Sequence, residues 1–315
     1  MTKINVAFFG SSTFSLETLG LLLHDDDINL KAIITMPPAE KNRGKKLQDN
    51  IVKEFALKNG YSAENIFEPK TLRKNQELID ILTKMALDFI VVVAYGKIIT
   101  KEIIDLPKYE ILNLHPSSLP KYRGAAPLER AIEAGEEEID VCIMRVDVGL
   151  DTGDVAVRKK YIIKDKHASE VIPEVSKIGA QMMVDVIKNS ICSNSTNSNT
   201  INSNIKFEPQ TEEGMIYANK IEKSELLLDF LLPAKTIYNK IRAFNLCGGC
   251  YFMFEGQRVK ILQAELLQAE NGHEIGFDKN DGKIYLKDGV IVPKILQKEG
   301  KKPIPLKDFL NGIKH

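Results

Sequence analysis

Phe89-Ile-Val-Val-Val93 is an unbroken apolar run rich in β-branched residues, the composition of a strand covered on both faces, and it decides the fold class. Working outward, Val6 to Phe9 is a second short apolar run, closed by Gly10 and followed by an amphipathic stretch through Leu23. Leu30 to Ile34 reads as another strand, and helical patterning resumes at Leu47 and again at Asn75. On the C-terminal side come Ile111 to Leu114, Val141 to Val146 and Val155 to Ile163. A helix then starts near Ser169 with Pro173 in its first turn. Its stripe Val171, Val175, Ile178, Met182 and Val186 has helical spacing and reads as core packing. Strands separated by helical segments predict an α/β, doubly wound, Rossmann-like parallel sheet.

The composition then changes. Cys192-Ser-Asn-Ser-Thr-Asn-Ser-Asn-Thr200 is too polar to bury anything and reads as a linker. Beyond it, a helix over Ala234 to Ala243 precedes short strand-like runs at Tyr251–Phe254, Val259–Leu262, Lys283–Leu286 and Val290–Pro293. Short strands between Gly, Asn and Asp turns suggest a small β-barrel of the oligonucleotide-binding kind. The expected division is residues 1–190, a linker over 191–208, and 209–315, with no internal repeat.

The chain of 315 residues is 43% hydrophobic, enough for a sizeable core. Basic and acidic residues balance at 43 each, so there is no global electrostatic signature of a nucleic-acid binder, and any such contact must come from local patches. The opening residues hold too short an apolar run for a signal peptide, and no apolar stretch approaches the roughly 20 residues of a membrane helix. Leu226 to Leu232 is broken by Asp229 and closed by Pro233. A soluble chain of the cytoplasm is expected. Its cysteines, Cys142, Cys192, Cys247 and Cys250, are too few for a disulfide framework, and Cys247-Gly-Gly-Cys250 reads as a glycine turn before a strand.

The chemistry concentrates in Asn113-Leu-His-Pro-Ser-Ser-Leu-Pro-Lys-Tyr-Arg-Gly-Ala-Ala-Pro127. Alternate residues of a strand share a face, so Asn113 and His115 point one way and Leu112 and Leu114 the other. A polar pair at the carboxyl end of a parallel strand lies where open α/β sheets bind ligands. A satisfied core histidine beside a capping asparagine is the plainer alternative. Val146-Asp-Val-Gly-Leu-Asp-Thr-Gly-Asp154 is an acidic, glycine-rich loop whose spacing matches no calcium loop, so no metal is expected there. Gly10-Ser-Ser-Thr13 is not G-x-G-x-x-G, and nothing favours a dinucleotide.

Together these segments resemble the 10-formyltetrahydrofolate-dependent formyltransferases. The resemblance implies that Asn113, His115 and Asp151 are catalytic. It also implies that Ser117, Ser118, Leu119 and Pro120, with Ala94 and Gly96, contact the folate; the family's Ser-Leu-Leu-Pro loop here reads Ser-Ser-Leu-Pro. The implied reaction is attack of an uncharged amine on the formyl carbon, which develops negative charge on oxygen. Donors placed at that charge accelerate the step, each typically by about 10²–10³. The Asn113 amide and a protonated His115 suit that task, and Asp151 could accept the nucleophile's proton.

Arg123-Gly-Ala-Ala-Pro127, Asp147 to Asp154, Ala94-Tyr-Gly96 and Arg242-Ala-Phe-Asn245 look like the branch of this family that acts on methionyl-tRNA. The competing branches act on a glycinamide ribonucleotide, without the second domain, or on amino-sugar nucleotides. In the methionyl-tRNA branch Arg-Ala-Phe-Asn is commonly followed by Pro and a Trp, whereas Leu246 follows here and the chain has no Trp. The implied co-substrate is 10-formyltetrahydrofolate and the implied partner is the initiator methionyl-tRNA, bound by a monomer. Arg43, Lys45 and Lys46 resemble the branch's basic loop for the acceptor stem, and Lys298, Lys301 and Lys302 would face the RNA backbone from the second domain.

Overall fold

The computed structural model describes residues 3–41, 46–192, 204–270 and 272–313. The chain opens with β1 (Ile4–Gly10), α1 (Leu16–His24), β2 (Ile28–Ile34), the short pair β3 (Ala39–Lys41) and β4 (Lys46–Gln48), and α2 (Ile51–Lys58). It continues through β5 (Ile66–Phe67), α3 (Gln76–Lys84), β6 (Phe89–Val93), α4 (Lys101–Ile104) and β7 (Glu110–His115). Next come β8 (Arg123–Gly124), α5 (Pro127–Ala134), β9 (Glu138–Arg145), β10 (Val155–Ile162), α6 (Ala168–Cys192) and β11 (Tyr217–Ala218). The last part holds α7 (Ala234–Phe244), β12 (Cys250–Phe254), β13 (Gln257–Leu267), β14 (Gly276–Phe277), β15 (Ile284–Leu286), β16 (Gly289–Lys298), β17 (Ile304–Pro305) and α8 (Leu306–Asn311).

Two compact units result. The first comprises Met1–Gly124, Asp140–Lys160 and Pro173–Tyr217; the second comprises Ala125–Ile139, Tyr161–Ile172 and Ala218–His315.

The first unit is organised by a sheet of order β10-β9-β7-β6-β1-β2-β5. β1 pairs in parallel with both β2 and β6, and β6 with β7, so the order runs outward in both directions from β1. That is the switch point at which doubly wound sheets open a crevice. The expected all-parallel sheet needs one correction. β9 pairs with β7 antiparallel, Leu112 opposite Arg145 and His115 opposite Cys142, making the sheet mixed. All five residues of β6 are buried, as its composition demands. One sheet face carries Phe9, Ile90, Val92 and Ile111 against Leu78 and Leu82 of α3. On the other, α6 lies so near that a Cβ on Gly179 would collide with the Leu114 side chain. α6 starts at Ala168, which places Pro173 inside the helix and not in its first turn.

Local signals explain the boundaries. Asn50 caps α2 by accepting from the Val52 N–H at 2.9 Å, and Asn75 caps α3 by accepting from Leu78 at 3.1 Å. The helical patterning at Leu47 therefore begins only at Ile51, after the cap.

The second unit carries the antiparallel sheet β12-β13-β16-β15-β14, with β17 paired to β16. Phe252, Phe254, Phe277 and Phe309 fill it with ring centroids 5.0–6.4 Å apart. β13 and β16 are longer than their sequence runs suggested, and the ladder continues past Pro293 because the register shifts beside its partner Ala264. Lys298 to Lys302 consequently forms the end of β16 and the turn into β17. In α7, Arg242 is 1% exposed, and its guanidinium donates to the carbonyls of Ile132, Ile163 and Lys166. The Arg-Ala-Phe-Asn motif thus anchors a helix.

Candidate active site

Asn113 and His115 share the face of β7 that also carries Ile111, opposite the Leu114 that faces Gly179. Their environments differ. His115 is 4% exposed, and its Nε2 lies 2.9 Å from the carbonyl oxygen of Tyr122. A carbonyl can only accept, so Nε2 carries the proton and donates it there. Nδ1 is left facing Oδ2 of Asp151 at 3.6 Å, beyond a direct hydrogen bond. The Asn113 side chain is half-buried, and among the described residues its carboxamide has no protein hydrogen-bond partner. His115 is therefore held in place, whereas Asn113 is available to a ligand.

Asp151 reaches this pair from the loop between β9 and β10. Its Oδ2 accepts the Gly124 N–H at 2.8 Å, and its backbone is left-handed at φ +51°. The loop closes through the Arg145 N–H, which donates to the Asp154 carbonyl at 2.9 Å. Gly153 permits that closure, because a Cβ there would run into the Arg145 carbonyl.

The Ser117–Pro120 turn is tied inward. Ser117 Oγ donates to the Lys121 carbonyl at 2.8 Å, and Ser118 Oγ accepts from the Asp140 N–H at 2.9 Å. Leu119 packs with Cys142, Met144 and Val155, and its carbonyl accepts from Arg158 at 2.7 Å. Burial pushes the Cys142 thiol up to about 12, which leaves it inert. At the crevice beside β6, Ser11 Oγ lies 2.9 Å from the carbonyls of both Ala94 and Tyr95. Ala94 and Gly96 are exposed with left-handed backbones, at φ +45° and +82°. Tyr95 between them is buried against Phe9, and its hydroxyl has no partner among the described residues.

The structure thus brings Asn113, His115 and Asp151 together at one end of β7, with the Ser117–Pro120 turn following directly. Arg43 and Lys45 lie outside the described residues, as does the side chain of Lys46, whose backbone belongs to β4. Lys298 ends β16 with its ammonium 5.1 Å from the Phe309 ring centre, while Lys301 and Lys302 are exposed in the turn that follows.

Three contributors to the site were missed. Tyr122 and Gly124 act through their backbones, which no side-chain pattern can signal. Gln210 lies beyond the low-complexity stretch, yet its Nε2 donates to the carbonyls of Asp151 and Gly153, at 2.9 and 2.6 Å. Among the described residues no group of three or more His, Cys, Asp or Glu side chains could hold a metal ion.

Comparisons with known proteins identify the family. A formyl transferase domain matches residues 3–187, and a formyl transferase C-terminal domain matches residues 220–314. The methionyl-tRNA formyltransferase of a Sulfurihydrogenibium species is 37% identical over 318 residues, which is 99% of this chain and 97% of the relative. Among solved structures, a methionyl-tRNA formyltransferase from Clostridium thermocellum covers 94% of this chain and 98% of its own, at 16% identity and a TM-score of 0.56. The sugar 3N-formyltransferase WlaRD, solved in the presence of dTDP and 5-N-formyl-tetrahydrofolate, covers 96% of this chain and 100% of its own. It is 21% identical, with a TM-score of 0.63. At these identities the structural likenesses establish the fold alone.

Proposed function

The chain belongs to the formyl transferase family, and from that membership we propose that it moves the formyl group of 10-formyltetrahydrofolate onto the α-amino group of methionyl-initiator-tRNA, giving N-formylmethionyl-tRNA for translation initiation. The observation that carries the chemistry is the Asn113 carboxamide, without a hydrogen-bond partner among the described residues, on the same strand face as His115 and its neighbour Asp151. The choice of methionyl-tRNA rests on the near full-length likeness to the Sulfurihydrogenibium enzyme, second domain included.

The residues present fit a folate. Exposed backbone at Ala94 and Gly96, the buried unpartnered hydroxyl of Tyr95, and exposed apolar Ile98, Val148 and Leu150 suit a flat ring with polar edges. When bound, the folate supplies the formyl group. Asn113 donates its N–H to the formyl oxygen as charge develops there, which is the task a preorganised donor performs best. His115 has committed Nε2–H to Tyr122, so its exchangeable position is Nδ1. Nδ1 and the Asp151 carboxylate, 3.6 Å apart, would take up the proton released by the attacking amine and return it to the folate nitrogen as the bond from that nitrogen to the formyl carbon breaks.

Formyl transfer is assigned to residues 1–190 together with the segment 204–217 that packs with the first unit, and RNA binding to the remainder of the expected 209–315 domain. Arg43, Lys45 and Lys46 hold the acceptor stem, and Lys298, Lys301 and Lys302 hold backbone phosphates. The Ser117–Pro120 turn, Ala94 and Gly96 line the folate subsite. The chain acts as a monomer in the cytoplasm, and among the described residues no helix is long and apolar enough to cross a membrane.

The deciding assay offers 10-formyltetrahydrofolate with charged initiator tRNA and an amino-sugar nucleotide side by side. Formylation of the tRNA alone is expected. Formylation of the sugar nucleotide alone would place the chain in the other branch.

A further inference from the structure

Residues 204–217 follow the Ser/Asn-rich stretch, yet they pack with the first unit. Their contacts fall on the base of one loop. Phe207 lies under the Arg145 guanidinium at 4.0 Å, and Glu208 exchanges two 2.9 Å backbone hydrogen bonds with Val155. Arg145 and Val155 flank the loop that carries Asp151. Glu212 pairs with Arg123 at 3.3 Å, and the Ile216 carbonyl accepts the Arg123 N–H at 3.0 Å. Gln210, between these anchors, reaches the loop itself.

The carboxamide of Gln210 is used at both ends. Its Nε2 donates to the carbonyls of Asp151 and Gly153, while its Oε1 accepts from Nε of Arg123 at 3.1 Å. Two carbonyls demand a donor and a guanidinium demands an acceptor, so this one orientation satisfies all three. Arg123 is 2% exposed and fixes the outer end of the clamp. The peptides so held are those of Asp151, whose left-handed backbone is an uncommon state for a residue with a side chain and persists only where the surroundings impose it. A clamp on the carbonyls at residues 151 and 153 sets the direction in which the Asp151 carboxylate leaves the chain.

We propose that Gln210 is a positioning residue for Asp151, acting from a strap over 204–217 that belongs functionally to the formyl-transfer unit. The proposal rests on the catalytic reading of Asp151. No other amino acid of this length offers both a donor pair and an acceptor. Gln210→Met keeps the volume and loses every hydrogen bond; Gln210→Glu keeps the Arg123 contact and turns a carboxylate against two carbonyl oxygens.

The test uses the full-length chain and formyl transfer from 10-formyltetrahydrofolate to methionyl-tRNA, with Gln210→Met and Gln210→Glu made alone and together with Asp151→Asn. Each single Gln210 variant should lower kcat on the order of 10–100-fold, the scale of a small misplacement of a reacting group. KM for methionyl-tRNA should be unchanged. In the Asp151→Asn background the same changes should cost almost nothing further, because a residue that acts through Asp151 has nothing left to position. Near-normal kcat in both single variants overturns the proposal. So does the same fold-loss in both backgrounds, or failure of both variants to fold, since either makes Gln210 a structural residue. Full activity of Asp151→Asn by itself instead removes the catalytic reading of Asp151 and leaves the formyl-transfer assay to stand separately.

Discussion

The backbone N–H of Gly124 donates to Oδ2 of Asp151 at 2.8 Å, the same oxygen that faces Nδ1 of His115 at 3.6 Å. A main-chain donor is fixed by the fold, so this carboxylate oxygen is aimed before any substrate arrives. His115 is held by the Tyr122 carbonyl on its other side, and of the three Asn113 alone has a side chain with no hydrogen-bond partner among the described residues. The trio is therefore unequal in its stability costs. Asn113→Ala, His115→Ala and Asp151→Ala should each lower kcat by about 10² or more. Asn113→Ala should leave the urea midpoint unchanged. His115→Ala removes a buried side chain and its hydrogen bond to the Tyr122 carbonyl and should also lower folding stability, by about 1 kcal/mol. Turnover and urea unfolding measured on the same preparations check both halves, and a normal rate for Asn113→Ala ends its role as the oxyanion donor.

Gly153 offers a test of the loop without touching a reactive group. Any side chain there meets the Arg145 carbonyl, which is backbone and cannot step aside. Gly153→Ala should lower stability by about 1–3 kcal/mol, the usual cost of forcing atoms into a packed site. It should also reduce kcat, because the displaced segment carries Asp151. Gly20→Ala serves as a control for the glycine substitution itself, since a Cβ there meets only the Phe55 ring at 3.5 Å, an ordinary contact. Equal rates for Gly153→Ala and Gly20→Ala would show that closure of the loop is irrelevant to turnover.

Asn113 and His115 were legible as a same-face pair through strand alternation, and the loop 147–154 through its acidic, glycine-rich composition, whereas the choice of Asp151 among its three aspartates came from the family resemblance. The buried parallel strand 89–93 was legible from its composition. What escaped depends on pairing between distant segments. β9 reads as a strand, but nothing in its own residues tells whether it runs with β7 or against it. Gln210 escaped because the polar stretch before it looks like a boundary, while the chain after that stretch returns to pair with Val155. Arg242 was seen as a motif residue, but its burial against three carbonyls depends on segments more than 70 positions away.

His167 sets a pH dependence of stability. Burial is the main cause that lowers its pKa below the ordinary 6.5, with Glu170 opposing and the Arg242 charge adding to the depression. Its Nε2 lies 3.5 Å from the Ala264 N–H, its Nδ1 lies 3.3 Å from Glu170, and the Tyr238 ring stands edge-on to it. The sign follows from proton counting. Above pH 6.5 the ring is neutral in both states and contributes no slope. Below it the unfolded chain binds a proton that the folded chain resists, so stability falls with pH until the folded value is passed. Urea midpoints between pH 5 and 8, roughly the histidine range, should therefore decline on the acid side, and His167→Gln should flatten that decline. An unchanged acid slope in the variant would assign the effect to other groups.

The proposal that Arg43 and Lys301 bind RNA can be tested apart from the transfer chemistry, because Lys301 belongs to the β16–β17 turn of the second unit and Arg43 is remote in sequence from Asn113, His115 and Asp151. If both patches hold phosphates, neutralising either should weaken methionyl-tRNA binding. Each lost contact should also reduce the slope of log affinity against log salt by about 0.7–0.9. The two patches should differ in kind. A planar guanidinium can read a base edge or hold a phosphate with two bonds, whereas a lysine supplies mainly charge. Arg43→Ala should thus narrow the gap between initiator and elongator methionyl-tRNA, while Lys301→Ala should weaken both alike. Lys298 should contribute less than Lys301, because its ammonium already lies over the Phe309 ring. Folate binding, measured without tRNA, should be the same in all three variants. Competition between the two charged tRNAs at several salt concentrations decides the matter, and intact affinity together with intact discrimination in Arg43→Ala would reduce that loop to a solvated basic turn.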